Sequence, residues 1–172
     1  MRQELDAQLC EKYPKMMVNR NKSMMETTMC WGFECGDGWF KILDSLMSNI
    51  QHYTDWNNDN FAKGYKQYKQ VPQVTLDQVK EKFGTLRFYY TGGDEHISGM
   101  VRMAESMSAI TCESCGNPGK QTRGGWIKTT CEPCEQKREE ERARQTAEYE
   151  TKKETKNELN YQFISEDTGD HD

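Results

Sequence analysis

Residues 112–134 read CESCGNPGKQTRGGWIKTTCEPC, and four cysteines in that stretch, Cys112, Cys115, Cys131 and Cys134, decide the architecture. They form two Cys-x-x-Cys pairs separated by fifteen residues. A tetrahedral Zn²⁺ takes four thiolates at about 2.3 Å, and two such pairs carried on short turns supply them. Gly116, directly after the second cysteine, suits a knuckle whose backbone curls to aim N–H groups at the sulfurs. Gly124 and Gly125 mark a hairpin turn, and Trp126, Ile127, Lys128, Thr129 and Thr130 predict the strand that returns the chain to the second pair. The layout is that of a zinc ribbon holding one structural Zn²⁺. Two disulfides or four free thiols are the competing reading, and it is weaker because no secretory signal precedes the motif.

A closed shell of four cysteines leaves no open coordination position, so the metal is expected to hold the fold rather than to activate water. No histidine lies within or beside the pairs, which argues against a deaminase or a His-rich metal nuclease.

The remaining composition sets the scale. The chain has 172 residues, of which 34% are hydrophobic and 30% charged, enough for one modest core and a small satellite module. Residues 135–172 carry twelve Asp/Glu against seven Lys/Arg; this accounts for the net charge of −5 and leaves residues 1–134 formally neutral. A neutral body with an acidic tail lacks the overall basic footprint of a general nucleic-acid binder, so local patches must be judged separately. No apolar run approaches the roughly twenty residues of a membrane span, and the expectation is a soluble, cytoplasmic protein with no membrane partner.

Upstream of the cysteines the pattern is mixed. Leu5, Leu9 and Tyr13 predict a short helix over 2–13, ended by Pro14. Residues 14–29 are methionine-rich and show no regular period, which suits gap-filling packing more than a partner-binding strip. Asp37 is placed to cap a helix whose apolar face is Trp39, Ile42, Leu43, Leu46, Met47 and Ile50, with Gly36 and Gly38 permitting a tight turn before it. VTLDQVKEK and TLRFYYT predict a β-hairpin turning near Phe83 and Gly84, and Ile97, Met100, Val101, Ala104 and Met107 a helix over 95–109 that runs into Cys112. The expected fold is α+β: a helix-plus-hairpin body over 1–110, the Cys₄ module over 111–134, and a charged tail over 135–172, helical or disordered and disordered from about 158 onward.

Other groups qualify as sites. Lys63, Tyr65, Lys66, Tyr68 and Lys69 interleave charge with aromatics, and residues 61–90 carry a local net charge of +4 with Lys80, Lys82 and Arg87 included. Amines for phosphates and rings for bases are what single-stranded nucleic acid requires, and Tyr89, Lys120, Arg123, Trp126 and Lys128 extend the set. A solvated face is the simpler account of such a charge run. Cys10, Cys30 and Cys35, joined by His52 or His96, are a weak candidate for a second metal site, because the spacing is loose. His96 beside Asp94 and Glu95 is the best acid/base cluster, yet acidic residues at a helix start are more simply caps.

The segments GFECGDGWFKIL, VKEKFGTLRFYY, AESMS, TCESCGNPG and GGWIKTTCEPC, in that order, resemble a group of uncharacterised bacteriophage and prophage proteins. The resemblance spans about residues 28–134. It implies a phage-encoded protein acting in the cytoplasm of an infected bacterium, and it transfers no catalytic residue. Three classes of function then compete: a zinc-stabilised adaptor that engages and regulates a host or phage macromolecule through a protein partner, a nucleic-acid binder, and, least supported, an enzyme.

Overall fold

The computed structural model describes residues 1–122 and 125–166, with side chains for 1–122 and 125–153. The chain forms two compact units, one ending at Cys131 and the other beginning at Glu132. The fold class is α+β, as expected. Helices α1 (Gln3–Lys12) and α2 (Phe40–Ala62) flank the short strand β1 (Phe33–Glu34). The hairpin β2 (Thr75–Lys82) and β3 (Thr85–Thr91), helix α3 (Glu95–Ser108), and short strands β4 (Lys120–Gln121) and β5 (Thr129–Thr130) follow. Helix α4 (Glu132–Glu166) makes up the second unit. Among the described residues, no helix is long and apolar enough to cross a membrane.

A three-stranded sheet of order β1-β2-β3 carries the body. β1 runs parallel to β2, with Phe33 opposite Val79, and β3 returns antiparallel with Val79 opposite Phe88 and Lys80 opposite Arg87. The pairing skips a residue between Leu76 and Gln78, so a bulge resets the alternation of faces. One face buries Leu76, Val79, Leu86 and Phe88 against α2 and α3; the other presents Gln78, Lys80, Lys82, Arg87 and Tyr89.

The hairpin turns at Phe83 and Gly84, both with positive φ (53° and 75°), between the paired residues Lys82 and Thr85. Two positive φ values in a two-residue connection define a type I′ turn, which matches the twist of the strands. α2 supplies Ile42, Leu43, Leu46, Met47 and Ile50 to the core, and α3 supplies Ile97, Val101 and Ala104. Burying side chains of this size stabilises by about 1.5–3 kcal/mol each, against the entropy of ordering them.

Residues 14–28 are built from turns, and with Met29 they deliver Met16, Met17 and Met29 to the core while leaving Met24 and Met25 exposed. The gap-filling reading of the methionines is the one that holds. Two expectations need correction. Asp37 caps nothing: α2 follows a one-turn 3₁₀ segment over Asp37–Trp39, neither has a side-chain cap, and Asp37 accepts instead from the backbone N–H and Nε of Arg2 at 2.7 and 2.5 Å. α2 also runs on through the polar stretch to Ala62. Asn57 and Asn60 donate back to the carbonyls of Tyr53 and Trp56, and Asn58 exchanges two hydrogen bonds with the backbone of Val71.

In the second unit the chain is helical through Glu166, beyond the point near 158 where disorder is expected; residues 167–172 lie outside the described residues. Every side chain from Glu139 to Lys153 is exposed, which agrees with a solvated charged helix lacking an apolar stripe.

Candidate metal centre

Cys112, Cys115, Cys131 and Cys134 lie with their Sγ atoms all within 4.8 Å of one another, and no other such group occurs among the described residues. A tetrahedral Zn²⁺ with bonds of about 2.3 Å separates its sulfurs by about 3.8 Å. The Cys115 and Cys131 sulfurs are 3.5 Å apart, near that edge and far beyond the about 2.05 Å of an S–S bond. The donor set therefore fits one tetrahedral metal ion. Four thiolates select Zn²⁺ over hard cations.

The first pair sits in a tight knuckle. Cys112 donates its N–H to the carbonyl of Asn117 at 2.7 Å, and Gly116, at φ 80°, donates to the carbonyl of Cys112 at 2.9 Å. Burial alone pushes the Cys112 thiol up; backbone donors from Cys115, Cys131 and Ser114 and the Cys115 thiol outweigh it and bring it down to about 6. The N–H groups that lower this thiol are the kind that favour a metal-bound thiolate. β4 and β5 pair in the ribbon, Lys120 opposite Thr130 and Gln121 opposite Thr129. The return strand expected over 126–130 is shortened to Thr129–Thr130, and Trp126 and Ile127 stand outside it.

Glu113, between the first two ligands, is the residue that the sequence reading missed. Its backbone carbonyl accepts from the N–H of Gly38 at 2.8 Å, and its N–H donates to Thr129 at 2.9 Å. Its carboxylate accepts from the N–H of Gly36 at 2.9 Å and lies 3.7 Å from the Lys128 ammonium. Trp39, fully buried, donates its indole N–H to the carbonyl of Thr111 at 2.9 Å. Gly36 and Gly38 are needed because knuckle backbone lies directly on them. A Cβ on either would meet backbone atoms of Glu113, or of Cys112 and Gly116, inside 3.0 Å. On the other side Thr129 donates its hydroxyl to the carbonyl of Gly84 at 2.5 Å. The knuckle is therefore fixed to the segment before α2 and to the hairpin tip.

That fixing creates a surface. Phe83 (67% exposed) at the hairpin tip and Trp126 (71% exposed) on the ribbon loop line one cleft of about 440 Å³, together with Lys80, Lys82 and Ile127. Arg87 and Tyr89 lie on the adjoining outer face of the sheet. Lys63, Tyr65, Lys66, Tyr68 and Lys69 are elsewhere: they follow the C-terminal end of α2, a 23-residue helix about 34 Å long whose N-terminal end abuts the knuckle. Tyr65 and Tyr68 meet edge to face there, with Tyr68 also against Trp56. Lys120 and Lys128 belong to the ribbon, and Arg123 lies outside the described residues.

The remaining candidates have local roles. Cys10 donates to Asp6 and Cys30 to the carbonyl of Thr27, and burial, with Glu113 and Asp37 adding, pushes the Cys35 thiol up to about 12. Asp94 caps α3 by accepting from the Ile97 N–H at 3.1 Å, and its other oxygen accepts from the Tyr53 hydroxyl at 2.9 Å. His96 stacks on Tyr53, with centroids 4.4 Å apart. The capping reading of this acidic cluster is thereby supported.

Comparison with protein-family models, with curated proteins and with solved structures found no match to this chain.

Proposed function

We propose that this chain is a zinc-stabilised adaptor that engages and regulates a macromolecule, and that the metal works by fixing the binding surface in place. One observation carries the reading: Glu113 and Thr129 tie the Cys₄ knuckle to Gly36, Gly38 and Gly84, and this holds the exposed rings of Phe83 and Trp126 on the two sides of one cleft. Large exposed aromatics at a cleft are the composition of a recognition surface and carry a solvation cost that an unliganded monomer gains nothing from. The resemblance of residues 28–134 to phage proteins suggests the cytoplasm of an infected bacterium as the setting.

Native mass spectrometry of chain purified from bacteria without added metal, set against the denatured mass, tests the reading. One bound zinc and a co-purified macromolecule are expected, with the macromolecule lost from the Cys112→Ser variant. Retention of the partner by a metal-free variant sinks the proposal.

A further inference from the structure

The outer face of the β2–β3 hairpin and the cleft beside it combine three properties that no other part of the described surface combines. First, the cations are in no ion pair among the described residues: Lys80, Lys82 and Arg87 have no carboxylate within reach, although Arg87 donates to the Thr85 hydroxyl and the Leu86 carbonyl. Glu81, the one carboxylate lining the cleft, accepts from the Gly84 N–H at 2.6 Å, and Glu34, on the outer face opposite Lys80, accepts from the Gln78 amide at 3.0 Å. Second, the two lysines sit against rings. The Lys80 ammonium lies 5.6 Å from the centroid of Tyr89 and the Lys82 ammonium 5.5 Å from that of Phe83, so each amine is held beside a flat apolar surface.

Third, the tip residue is conformationally costly. Phe83 is the one non-glycine residue with positive φ among the described residues. A type I′ turn asks for Asn, Asp or Gly at that position, and a bulky side chain there is strained. The residue is also two-thirds exposed, so little burial offsets the strain. Strain of this kind is concentrated at functional sites, ligand clamps among them.

We infer that this surface binds single-stranded nucleic acid, bases stacking on Phe83, Trp126 and Tyr89 while Lys80, Lys82 and Arg87 meet the phosphates. The inference rests on the proposed function and names the class of macromolecule. A positively charged sheet face with interspersed rings is how single strands are held without sequence readout, since every base has a π-face and every nucleotide a phosphate. Duplex is disfavoured because its bases are already stacked inside and present no faces to the rings. The knuckle contributes by setting the distance across the cleft, Trp126 coming from the ribbon and Phe83 from the sheet.

The test uses the full zinc-loaded chain and fluorescein-labelled oligodeoxythymidine, its RNA counterpart, and a duplex of equal length, read by fluorescence anisotropy at several salt concentrations. Binding to single strands is expected, with log affinity falling on log salt with a slope of about −2 for three phosphate contacts. Lys82→Gln should flatten that slope by about 0.7. Phe83→Asn places a residue suited to the turn, so the variant folds, yet it should lose about 5-fold or more in affinity from one missing stacked base. Trp126→Ala should do the same, with unchanged circular dichroism and zinc content.

Absence of binding at low salt overturns the inference, as does binding indifferent to Phe83→Asn and Trp126→Ala. Equal affinity for duplex overturns it too, because phosphate attraction alone then suffices. If instead a protein co-purifies with the chain and is lost from Phe83→Asn, the adaptor surface stands and the nucleic-acid inference falls. If a metal-free variant binds the single strand as well as the loaded chain, the role assigned to zinc falls and the stacking surface stands.

Discussion

The carboxylate of Glu113 accepts the backbone N–H of Gly36 at 2.9 Å, across 77 positions of sequence, and this is one of the bonds by which the cysteine knuckle is attached to the body. Its effect on a metal held by the four cysteines would be indirect: Glu113 is not among those ligands, but it fixes the peptide that joins Cys112 to Cys115. Groups that orient ligands in this way commonly change metal affinity by 10–100-fold.

Glu113→Ala should therefore weaken zinc binding by about that factor in a chelator competition and, by stranding the Gly36 N–H, cost about 1–3 kcal/mol in urea unfolding. Glu113→Gln keeps an acceptor for Gly36 and loses only the charge facing Lys128, so its loss should be smaller. Equal losses in the two variants would place the effect in the charge and not in the hydrogen bond.

Two glycines make opposite predictions. Gly38→Ala forces a Cβ onto the backbone of Cys112 and Gly116, atoms that cannot swing aside, and should cost about 1–3 kcal/mol together with zinc affinity. Gly99 lies within α3 with nothing within 4 Å of its notional Cβ, so Gly99→Ala should raise the unfolding midpoint by the equivalent of about 0.5–1 kcal/mol. A stabilising Gly38→Ala would show that the knuckle does not rest on this segment.

Trp39 offers an optical reading of the metal. It is fully buried with its N–H on Thr111, whereas Trp31, Trp56 and Trp126 are 58%, 54% and 71% exposed. Chelating the zinc should loosen the knuckle and shift the tryptophan emission to the red, and Trp39→Phe should abolish most of that shift. An unshifted spectrum after complete removal of zinc would mean that the knuckle stays seated without metal.

Acid should act at Asp44. Burial raises its carboxyl, but the ammonium of Lys12 at 2.7 Å and the hydroxyl of Tyr13 at 2.6 Å outweigh that and hold it below the usual carboxylate range. Because the folded value is the lower one, the stabilisation is present above the unfolded value of about 3.9 and is lost as pH falls through the folded one. The urea midpoint should drop below about pH 4, and Asp44→Asn should flatten that acid limb while lowering stability at neutral pH. A variant whose acid limb matches that of the parent chain would remove Asp44 from this role.

What was legible in the sequence was what is local. The four cysteines, the Asp94 cap of α3 and the β2–β3 hairpin with its turn at Phe83 and Gly84 are decided by neighbours within a few residues, and each is found where its pattern puts it. Asp37 misled because its partner, Arg2, is 35 positions away, and a residue placed for capping was recruited by charge. The polar half of α2 hid its helix because the asparagines that weaken propensity are satisfied by back-bonds and by Val71, which only tertiary contact supplies. Glu113 gave no local signal at all. The basic tyrosine-rich stretch and Lys82, Arg87, Tyr89 and Trp126 read as one set in sequence, and α2 divides them.

The bonds from Glu113 to Gly36 and from Thr129 to Gly84 close loops of 77 and 45 positions, among the last contacts whose loop entropy the chain can offset. During synthesis α2 and the hairpin emerge and pack well before Cys131 leaves the ribosome. If the four cysteines take up their metal only once Cys131 and Cys134 have emerged, that uptake would close the folding sequence. A chain made where zinc is scarce would then differ from the finished one at its last-formed segment, the kind of incomplete region by which chaperones and proteases sort new chains.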